Sequence, residues 1–334
     1  MSGGADTQRP DGMDRGVAGP GTAGAAPLRR EGQTFGGESL LARYASFVKL
    51  PHTLFALPFA GVGVVWGAAV HPQGITAARV GWVAVAFTAA RFAAMGFNRI
   101  VDRHYDALNP RTRLRELPTG RLSVRQAAVS VAVAAAVFIF AAWRLNPLCG
   151  WLSPVALAWV LFYSYTKRFT AWAHAALGLS LGIAPAGAYL AATGAWSDPW
   201  YALVILAAAV TCWVAGFDVI YAVQDEAFDR AHGLHSIPAR LGTVRALRLA
   251  RLLHFLAVVA FFSIWALGVF PVHWLYLTGV GVMAMLLHLE HAPLRRPVPE
   301  RLDPVRIDRA FFRANAQVSA AFFLFTLFDR ILAP

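Results

Sequence analysis

The sequence predicts an all-α protein that crosses a membrane repeatedly, and three observations indicate this fold class. Of the 334 residues, 57% are hydrophobic and only 14% are charged, whereas about a quarter of the residues in a soluble domain are charged. The apolar residues form successive segments, each near the roughly 20 residues that a helix needs to cross a bilayer. The connections between these segments are alternately rich and poor in arginine.

Nine apolar segments follow one another along the chain, and we therefore predict nine transmembrane helices. Two pairs of neighbouring segments are divided only by the dipeptides Asn146-Pro147 and Phe270-Pro271, which are typical of turns. The predicted segments are residues 47–71, 78–100, 124–143, 147–165, 171–193, 199–221, 246–268, 273–290 and 309–331.

The basic residues predict the orientation of these helices. The connection at residues 99–125 carries seven arginines, whereas the odd-numbered connections hold little beyond Arg79 and Arg144. The positive-inside rule then places the even-numbered connections and the N-terminus in the cytoplasm. The net charge of +12 follows from this topology, so we expect no nucleic-acid partner. Residues 1–40, rich in Gly, Ala and Pro, are predicted to be a disordered cytoplasmic tail before one transmembrane domain at 45–332.

An oxygen-rich stripe is predicted at the cytoplasmic end of the second segment. Asn98, Asp102 and Asp106 are spaced i, i+4 and i+8. On an α-helix these side chains drift by only roughly 80° over about 12 Å. Carboxylates at a membrane edge are costly and usually serve a function.

A second stripe is predicted at the end of the sixth segment, on the same side of the membrane. Tyr221, Asp225 and Asp229 repeat the i, i+4, i+8 spacing, and Asp218 lies nearly two turns before Asp225, deeper in the apolar segment. Magnesium takes oxygen ligands and typically binds one or two carboxylates together with substrate phosphates. Two facing stripes therefore predict a site for Mg²⁺ and a diphosphate.

Cations are also expected at this site. Lys167 and Arg168 lie in the next cytoplasmic connection, where they would bind the diphosphate oxygens. The alternative interpretation is that each carboxylate is a helix-end group paired with a neighbouring arginine. Two matched stripes on one membrane face favour the metal site.

These residues resemble the motifs of the UbiA family of intramembrane aromatic prenyltransferases. The family's two acidic motifs, NxxxDxxxD and YxxxDxxxD, are matched by Asn98, Asp102, Asp106, Tyr221, Asp225 and Asp229. Two shorter family segments are matched by R-E-L-P-T-G-R at 115–121 and Y-S-Y-T-K-R at 163–168. The resemblance covers roughly residues 45–332.

Two further stretches resemble one branch of the family, usually described as 4-hydroxybenzoate polyprenyltransferase-like. They are residues 47–59, which include K-L-P-H-T-L-F-A-L-P-F, and residues 217–238, which end in G-L-H-S-I-P. The chain departs from the branch at Pro51, where an acidic residue is common. In bacteria that use the futalosine route, this branch is associated with menaquinone synthesis from a dihydroxynaphthoate-type acceptor.

The resemblance implies a bundle of nine transmembrane helices around a central cavity. It implies a cytoplasmic cap, built from the second–third and sixth–seventh connections, over the acidic motifs. The implied activity is Mg²⁺-dependent transfer of a polyprenyl group from polyprenyl diphosphate to an aromatic ring, for ubiquinone or menaquinone synthesis. The enzyme would lie in the lipid bilayer of a bacterial inner membrane, with its active site facing the cytoplasm. No oligomeric state is predicted.

The predicted roles divide by chemistry. The metal ligands are expected to be Asn98, Asp102, Asp106, Asp225 and Asp229. The diphosphate contacts are expected to be Lys167 and Arg168, with assistance from Lys49. Tyr221 and Tyr163 are predicted to flank the allylic cation, and Asp218 or Asp225 to accept the ring proton. His52 either lines the acceptor pocket or makes a helix-interface hydrogen bond.

Two other interpretations stay open. A prenyltransferase of the same fold acts on another acceptor, such as haem, chlorophyllide or a glycerolipid. A transporter would also place ionisable residues beside spans, but its carboxylates are expected at the midplane rather than at the membrane edge. Glu290, His288 and His291 are interpreted as solvated polar groups at a helix end.

Overall fold

The computed structural model describes residues 39–71, 76–294 and 313–332, and every regular element in these ranges is a helix. The all-α prediction is confirmed for this part of the chain. The helices are α1 (Leu40–Phe47), α2 (Leu50–Val70), α3 (Ala77–Leu108), α4 (Val124–Leu145), α5 (Pro147–Thr166), α6 (Ala173–Thr193), α7 (Tyr201–Ala222), α8 (Glu226–Ala231), α9 (Ile237–Leu241), α10 (Thr243–Ala266), α11 (Trp274–His291) and α12 (Asn315–Leu332).

Six of these helices, α3 to α7 and α10, are long and apolar enough to cross a membrane. The other three predicted segments coincide with α2, α11 and α12, and their crossing of the membrane stays a prediction. Residues 1–38 of the predicted tail and the start of the ninth segment, residues 309–312, lie outside the described residues.

Local sequence signals explain where several helices begin and end. Ser123 and Gln126 form a reciprocal capping box at the start of α4. The Asn146 side chain accepts a hydrogen bond from the Cys149 backbone, and Pro147 is the first residue of α5. The predicted turn between the third and fourth segments is therefore confirmed.

The centre of the bundle is formed by α2, α6 and α7, which pack closely because small residues lie at their contacts. A Cβ atom added to Gly63 would lie 1.9 Å from the Pro185 carbonyl oxygen, and one added to Gly182 would lie 2.6 Å from the Ala207 carbonyl oxygen. Small residues of this kind let membrane helices approach to backbone contact. Around this centre, α3, α4 and α5 pack with one another. Further along the chain, α10 packs on α11, α11 on α12, and α12 on α2.

The outer surface carries apolar side chains in helical register. On α4, Val129, Val133, Val137 and Phe140 are all exposed. Their spacing places them on one face of the helix. In a membrane protein such a face contacts lipid, so the exposed stripe agrees with the predicted bilayer partner.

The two acidic motifs differ in backbone structure. The first lies wholly on α3, which continues to Leu108. In the second, α7 ends at Ala222, a 3₁₀ turn covers Val223–Asp225, and α8 begins at Glu226. The uninterrupted helical stripe predicted for the second motif is therefore wrong. The tighter 3₁₀ turn has three residues per turn and redirects the chain between Tyr221 and Asp229.

The interpretation of the end of α11 as a solvated polar cluster is also wrong for two of its three residues. Glu290 and His291 are only 3% and 4% exposed. The Asn315 amide donates to Glu290 Oε1 at 3.2 Å, and Trp213 Nε1 donates to Asn315 Oδ1 at 2.9 Å. Helices α7, α10 and α12 surround this end of α11, so the polar groups hydrogen-bond inside the bundle. His288, by contrast, is exposed as expected.

Candidate active site

The first acidic motif is held by hydrogen bonds and ion pairs at the end of α3. The Asn98 amide donates to Asp102 Oδ2 at 2.9 Å, and the Arg168 guanidinium lies 3.7 Å from Asp102 Oδ1. Asp106 is buried, and Arg115 donates to its Oδ1 at 2.6 Å. Arg115 belongs to the connection after α3, so this connection folds back onto the motif.

Asp225 of the second motif is clamped by the same connection. Arg111 donates two hydrogen bonds to its carboxylate, from Nε to Oδ1 at 3.0 Å and from a terminal nitrogen to Oδ2 at 2.6 Å. The Asn109 amide adds a third at 3.0 Å. Arg111 also donates to the Tyr221 hydroxyl at 3.0 Å. A bidentate guanidinium fixes carboxylate orientation as well as charge, so Asp225 is rigidly oriented.

Lys167 joins the two motifs. Its ammonium lies 2.8 Å from Oδ2 of Asp229, which is 1% exposed. Lys167 also interacts electrostatically with Asp102 of the first motif and Asp225 of the second. The structure therefore places Lys167 between the two sets of carboxylates. The His235 backbone N–H donates to the Lys167 carbonyl at 2.7 Å, which attaches the α8–α9 connection to the same point.

Lys49 also reaches the second motif. Its ammonium lies 5.8 Å from the centroid of the Tyr221 ring, and the Arg111 guanidinium lies 5.2 Å from it. Lys49 has a φ of +46°, a left-handed conformation that is uncommon for a residue other than glycine. Such strain is concentrated at functional sites, and here it occurs between α1 and α2, where Lys49 turns toward the site. Tyr221 therefore already interacts with two side-chain cations.

Asp218 lies on α7 and has a different kind of partner. Its Oδ2 is 2.6 Å from Nδ1 of the buried residue His174, at the start of α6. Tyr163 interacts electrostatically with Asp218, with Asp102 and with Arg91. Tyr163 therefore lies near both Asp218 and the first motif. His52 lies in α2, and its side chain is outside the described residues.

Sequence reasoning assigned the arginine-rich loops a general role in binding the diphosphate, but it singled out none of several residues that now belong to the site. Asn109, Arg111 and Arg115 lie in the arginine-rich connection, where composition indicated orientation but not which arginine pairs with which carboxylate. Arg91 is an arginine in the middle of the apolar segment of α3, and a cation at that depth is itself a signal of function. His174 follows a short loop, and nothing in its sequence context marks it.

The carboxylates have the chemistry required for a divalent cation. Asp106 Oδ2 is buried and receives no hydrogen bond from any residue that the structure describes, and the carboxylate of Asp229 is buried beside Lys167 and Ser236. Within the described ranges, no three His, Cys, Asp or Glu side chains converge as a complete metal cage. This arrangement fits a metal that takes a few carboxylates and obtains its other ligands from water and phosphate. The interleaved cations fit a polyanionic ligand.

A helical membrane bundle with carboxylates and cations interleaved at the ends of two helices is the arrangement that the motifs predict for an intramembrane prenyltransferase. The family model described as the UbiA prenyltransferase family matches residues 56–316. The chain therefore belongs to the UbiA prenyltransferase family, and the resemblance drawn from its motifs is confirmed.

Characterised relatives agree with this assignment. A 4-hydroxybenzoate octaprenyltransferase of Aromatoleum aromaticum is 31% identical over 246 residues, which cover 73% of this chain and 79% of that protein. A polyprenyl transferase of Arthrobotrys oligospora is 32% identical over 197 residues. The second match spans 55% of this chain and only about half, 53%, of the fungal protein.

Solved structures share the fold. A UbiA homolog from Aeropyrum pernix, solved in its apo form, is 34% identical with a TM-score of 0.73, and the match covers 83% of this chain and 98% of that one. A UbiA homolog from Archaeoglobus fulgidus, solved with GPP and Mg²⁺, has a TM-score of 0.64 over 85% of this chain and 99% of that one. At 19% identity, the second comparison supports the fold alone.

Proposed function

We propose that this enzyme transfers a polyprenyl group from polyprenyl diphosphate to an aromatic acid, 4-hydroxybenzoate or a dihydroxynaphthoate, in quinone biosynthesis. The observation that carries the proposal is the position of Lys167, which lies beside carboxylates of both motifs. A diphosphate bound there meets the cations Lys167 and Arg168 of the turn after α5, together with acidic groups from other helices.

The oxygen donors of the two motifs fit magnesium. Its expected ligands are the buried carboxylates of Asp106 and Asp229, together with Asn98, Asp102 and Asp225. The Archaeoglobus homolog of the same fold was solved with GPP and Mg²⁺, and we propose the same pairing here. When bound, Mg²⁺ supplies neutralisation of the charge that develops on the diphosphate. Lys167 and Arg168 bind the diphosphate oxygens directly and hold the leaving group in place.

The reaction proceeds by charge separation at the allylic carbon. The bond from this carbon to the diphosphate oxygen breaks, and the electron pair leaves with the diphosphate. An electron-rich ring position beside a hydroxyl then forms the new carbon–carbon bond. Tyr163 is placed to stabilise the allylic cation through its ring, and Asp218 or Asp225 receives the ring proton.

Arg91 supports an aromatic acid as the acceptor. It precedes Asn98 by seven residues on α3, so the two side chains share a face and Arg91 lies about 10 Å deeper in the membrane. A guanidinium at that depth is costly and usually serves a function. The carboxylate of a hydroxybenzoate or dihydroxynaphthoate, held at Arg91, would place its ring between Arg91 and the diphosphate. The relatives that are 4-hydroxybenzoate octaprenyltransferases support this acceptor class.

The enzyme is proposed to lie in the inner membrane of a bacterium, with the acidic motifs facing the cytoplasm. The arginine-rich connection 99–125 supports this orientation. Two connections would then form the cytoplasmic cap over the site: the α3–α4 connection, which contains Arg111 and Arg115, and the α8–α9 connection.

A membrane assay tests the proposal. Membranes that contain the full chain receive octaprenyl diphosphate with 4-hydroxybenzoate and a dihydroxynaphthoate in parallel, with Mg²⁺ or with a chelator. We expect a prenylated acid only when Mg²⁺ is present. Asp102→Ala is expected to reduce turnover by roughly 100-fold or more, because charge stabilisation at the leaving group is lost.

The matched control is Asp198→Ala, which removes an exposed carboxylate between α6 and α7, in a connection away from the motifs. This variant is expected to retain full turnover. If neither acid is prenylated and the prenyl group is transferred instead to a haem precursor or a glycerolipid, the proposed acceptor is wrong. Near-wild-type turnover by Asp102→Ala would overturn the diphosphate site itself.

A further inference from the structure

The hydrogen bonds of His174 determine which of its nitrogens carries the proton. His174 is buried, with only 4% of its side chain exposed. The backbone N–H of Ile237 donates to His174 Nε2 at 3.3 Å. Because Nε2 accepts this bond, the proton of the neutral ring is on Nδ1. Nδ1 therefore donates to Asp218 Oδ2, 2.6 Å away.

Asp218 is distinguished from the motif carboxylates by this partner. Asp102, Asp106, Asp225 and Asp229 each lie within ion-pair distance of an arginine or a lysine. Asp218 instead accepts a hydrogen bond from an imidazole. Its side chain is 22% exposed, against 10% for Asp225. Asp218 is therefore held in one orientation while its other oxygen stays accessible.

Asp225 is poorly suited to accept a proton. Arg111 binds both of its oxygens, and Asn109 donates a further bond to Oδ1. Protonation would disrupt this bidentate clamp. The choice between the two carboxylates that the sequence left open is thus decided in favour of Asp218 by their hydrogen bonds.

We propose that His174 is a positioning residue that orients Asp218 to remove the ring proton of the acceptor. The inference rests on the proposed function. After the ring carbon bonds to the allylic carbon, the same ring carbon loses its proton to Asp218 Oδ1. The electron pair of the broken C–H bond restores the aromatic ring. The diphosphate has already left with the electron pair of the C–O bond, so no oxidant or reductant is required.

The α8–α9 connection couples this base to the diphosphate site. Two residues of one short segment make the contacts, since His235 N–H donates to the Lys167 carbonyl and Ile237 N–H donates to His174. Docking of the segment therefore orients the diphosphate lysine and the base together.

A kinetic isotope effect separates positioning from a merely structural role. The acceptor is 4-hydroxybenzoate, either unlabelled or deuterated at both ring positions beside the hydroxyl. In the wild-type enzyme, where ionisation and carbon–carbon bond formation precede proton loss, we expect an isotope effect near unity. His174→Ala is expected to lower kcat by roughly 10–100-fold, as for other residues that orient a functional group. Proton removal then becomes slow, and a primary isotope effect appears.

Two variants and one control complete the experiment. His174→Asn places an amide N–H near the Nδ1 position and is expected to restore much of the rate and the near-unity isotope effect. Asp218→Asn keeps the side-chain shape but removes the base, and it should show the same isotope effect as His174→Ala. Asp229→Asn acts on the diphosphate side and should lower turnover without any isotope effect. Monodispersity in detergent checks that each variant is folded.

A His174→Ala enzyme with wild-type turnover would overturn the proposal. Reduced turnover with an isotope effect that stays near unity, in both His174→Ala and Asp218→Asn, would also overturn it. Failure of the proposed function is a different result, because the wild-type enzyme would then prenylate neither aromatic acid.

Discussion

Replacement of Arg111 by alanine tests the clamp that orients the second motif. The Asp225 side chain is 10% exposed and that of Arg111 is 21% exposed. Breaking a buried ion pair by removing one partner costs about 3–5 kcal/mol, because an uncompensated charge stays behind. Asp225 would keep the hydrogen bond from Asn109 and its interaction with Lys167. We therefore expect the lower end of the range, about 3 kcal/mol.

The assay is thermal unfolding of the purified protein in detergent, together with turnover in membranes. For a chain of this size, a free-energy loss of 1 kcal/mol lowers Tm by roughly 2 °C, so Arg111→Ala is expected to lower Tm by about 6 °C. Turnover should fall as well, because Asp225 loses its orientation. Arg113→Ala is the matched control, since Arg113 is an exposed arginine in the same connection, and its effect should stay within about 0.5 kcal/mol.

A double-mutant cycle distinguishes the ion pair from general damage. Asp225→Asn removes the charge that Arg111 compensates, so the double variant should lose less stability than the sum of the single variants, by at least about 1 kcal/mol. An Arg111→Ala protein with the same Tm as the wild type would refute the reasoning. Strictly additive losses of stability in the cycle would refute it as well.

Two further predictions concern residues whose roles emerged from the structure. Arg91→Gln keeps much of the side-chain length but removes the charge. It should raise KM for the aromatic acid by roughly 10-fold or more while KM for the prenyl diphosphate stays constant. Equal increases of the two KM values in steady-state assays would contradict an acceptor-binding role. Asn315→Leu removes the hydrogen bonds to Glu290 and Trp213 that join α12 to α11 and α7. It should destabilise the bundle by about 1–3 kcal/mol, because polar groups stay buried without partners. Its Tm in detergent measures the loss, and an unchanged Tm would contradict it.

The helical boundaries were largely predictable because the bilayer imposes a simple length requirement. All nine predicted segments coincide with long helices in the described part of the chain. Prediction was less successful where tertiary packing overrides periodicity. The 3₁₀ turn at Val223–Asp225 has no sequence signature, and the regular spacing of Tyr221, Asp225 and Asp229 suggested one helix.

The polar groups at the end of α11 illustrate the same limit. Glu290 and His291 have the composition of a solvated helix end, and only the packing of α7, α10 and α12 makes them interior. The signal was present elsewhere in the sequence, since Asn315 and His254 are polar residues within two other predicted transmembrane segments. Which polar group meets which depends on how four helices are arranged around one another.

The sequence by itself determined the family, the membrane location of the helices and the identity of the acidic motifs, because each depends on residue type and short-range spacing. Tertiary structure decided the partners of those motifs. Arg111 clamps Asp225 across 114 positions of the chain, and His174 meets Asp218 across 44. Such pairs leave no local pattern, since they form only when helices from distant parts of the chain pack side by side. This packing assigns one carboxylate to a rigid clamp and leaves another accessible beside an imidazole.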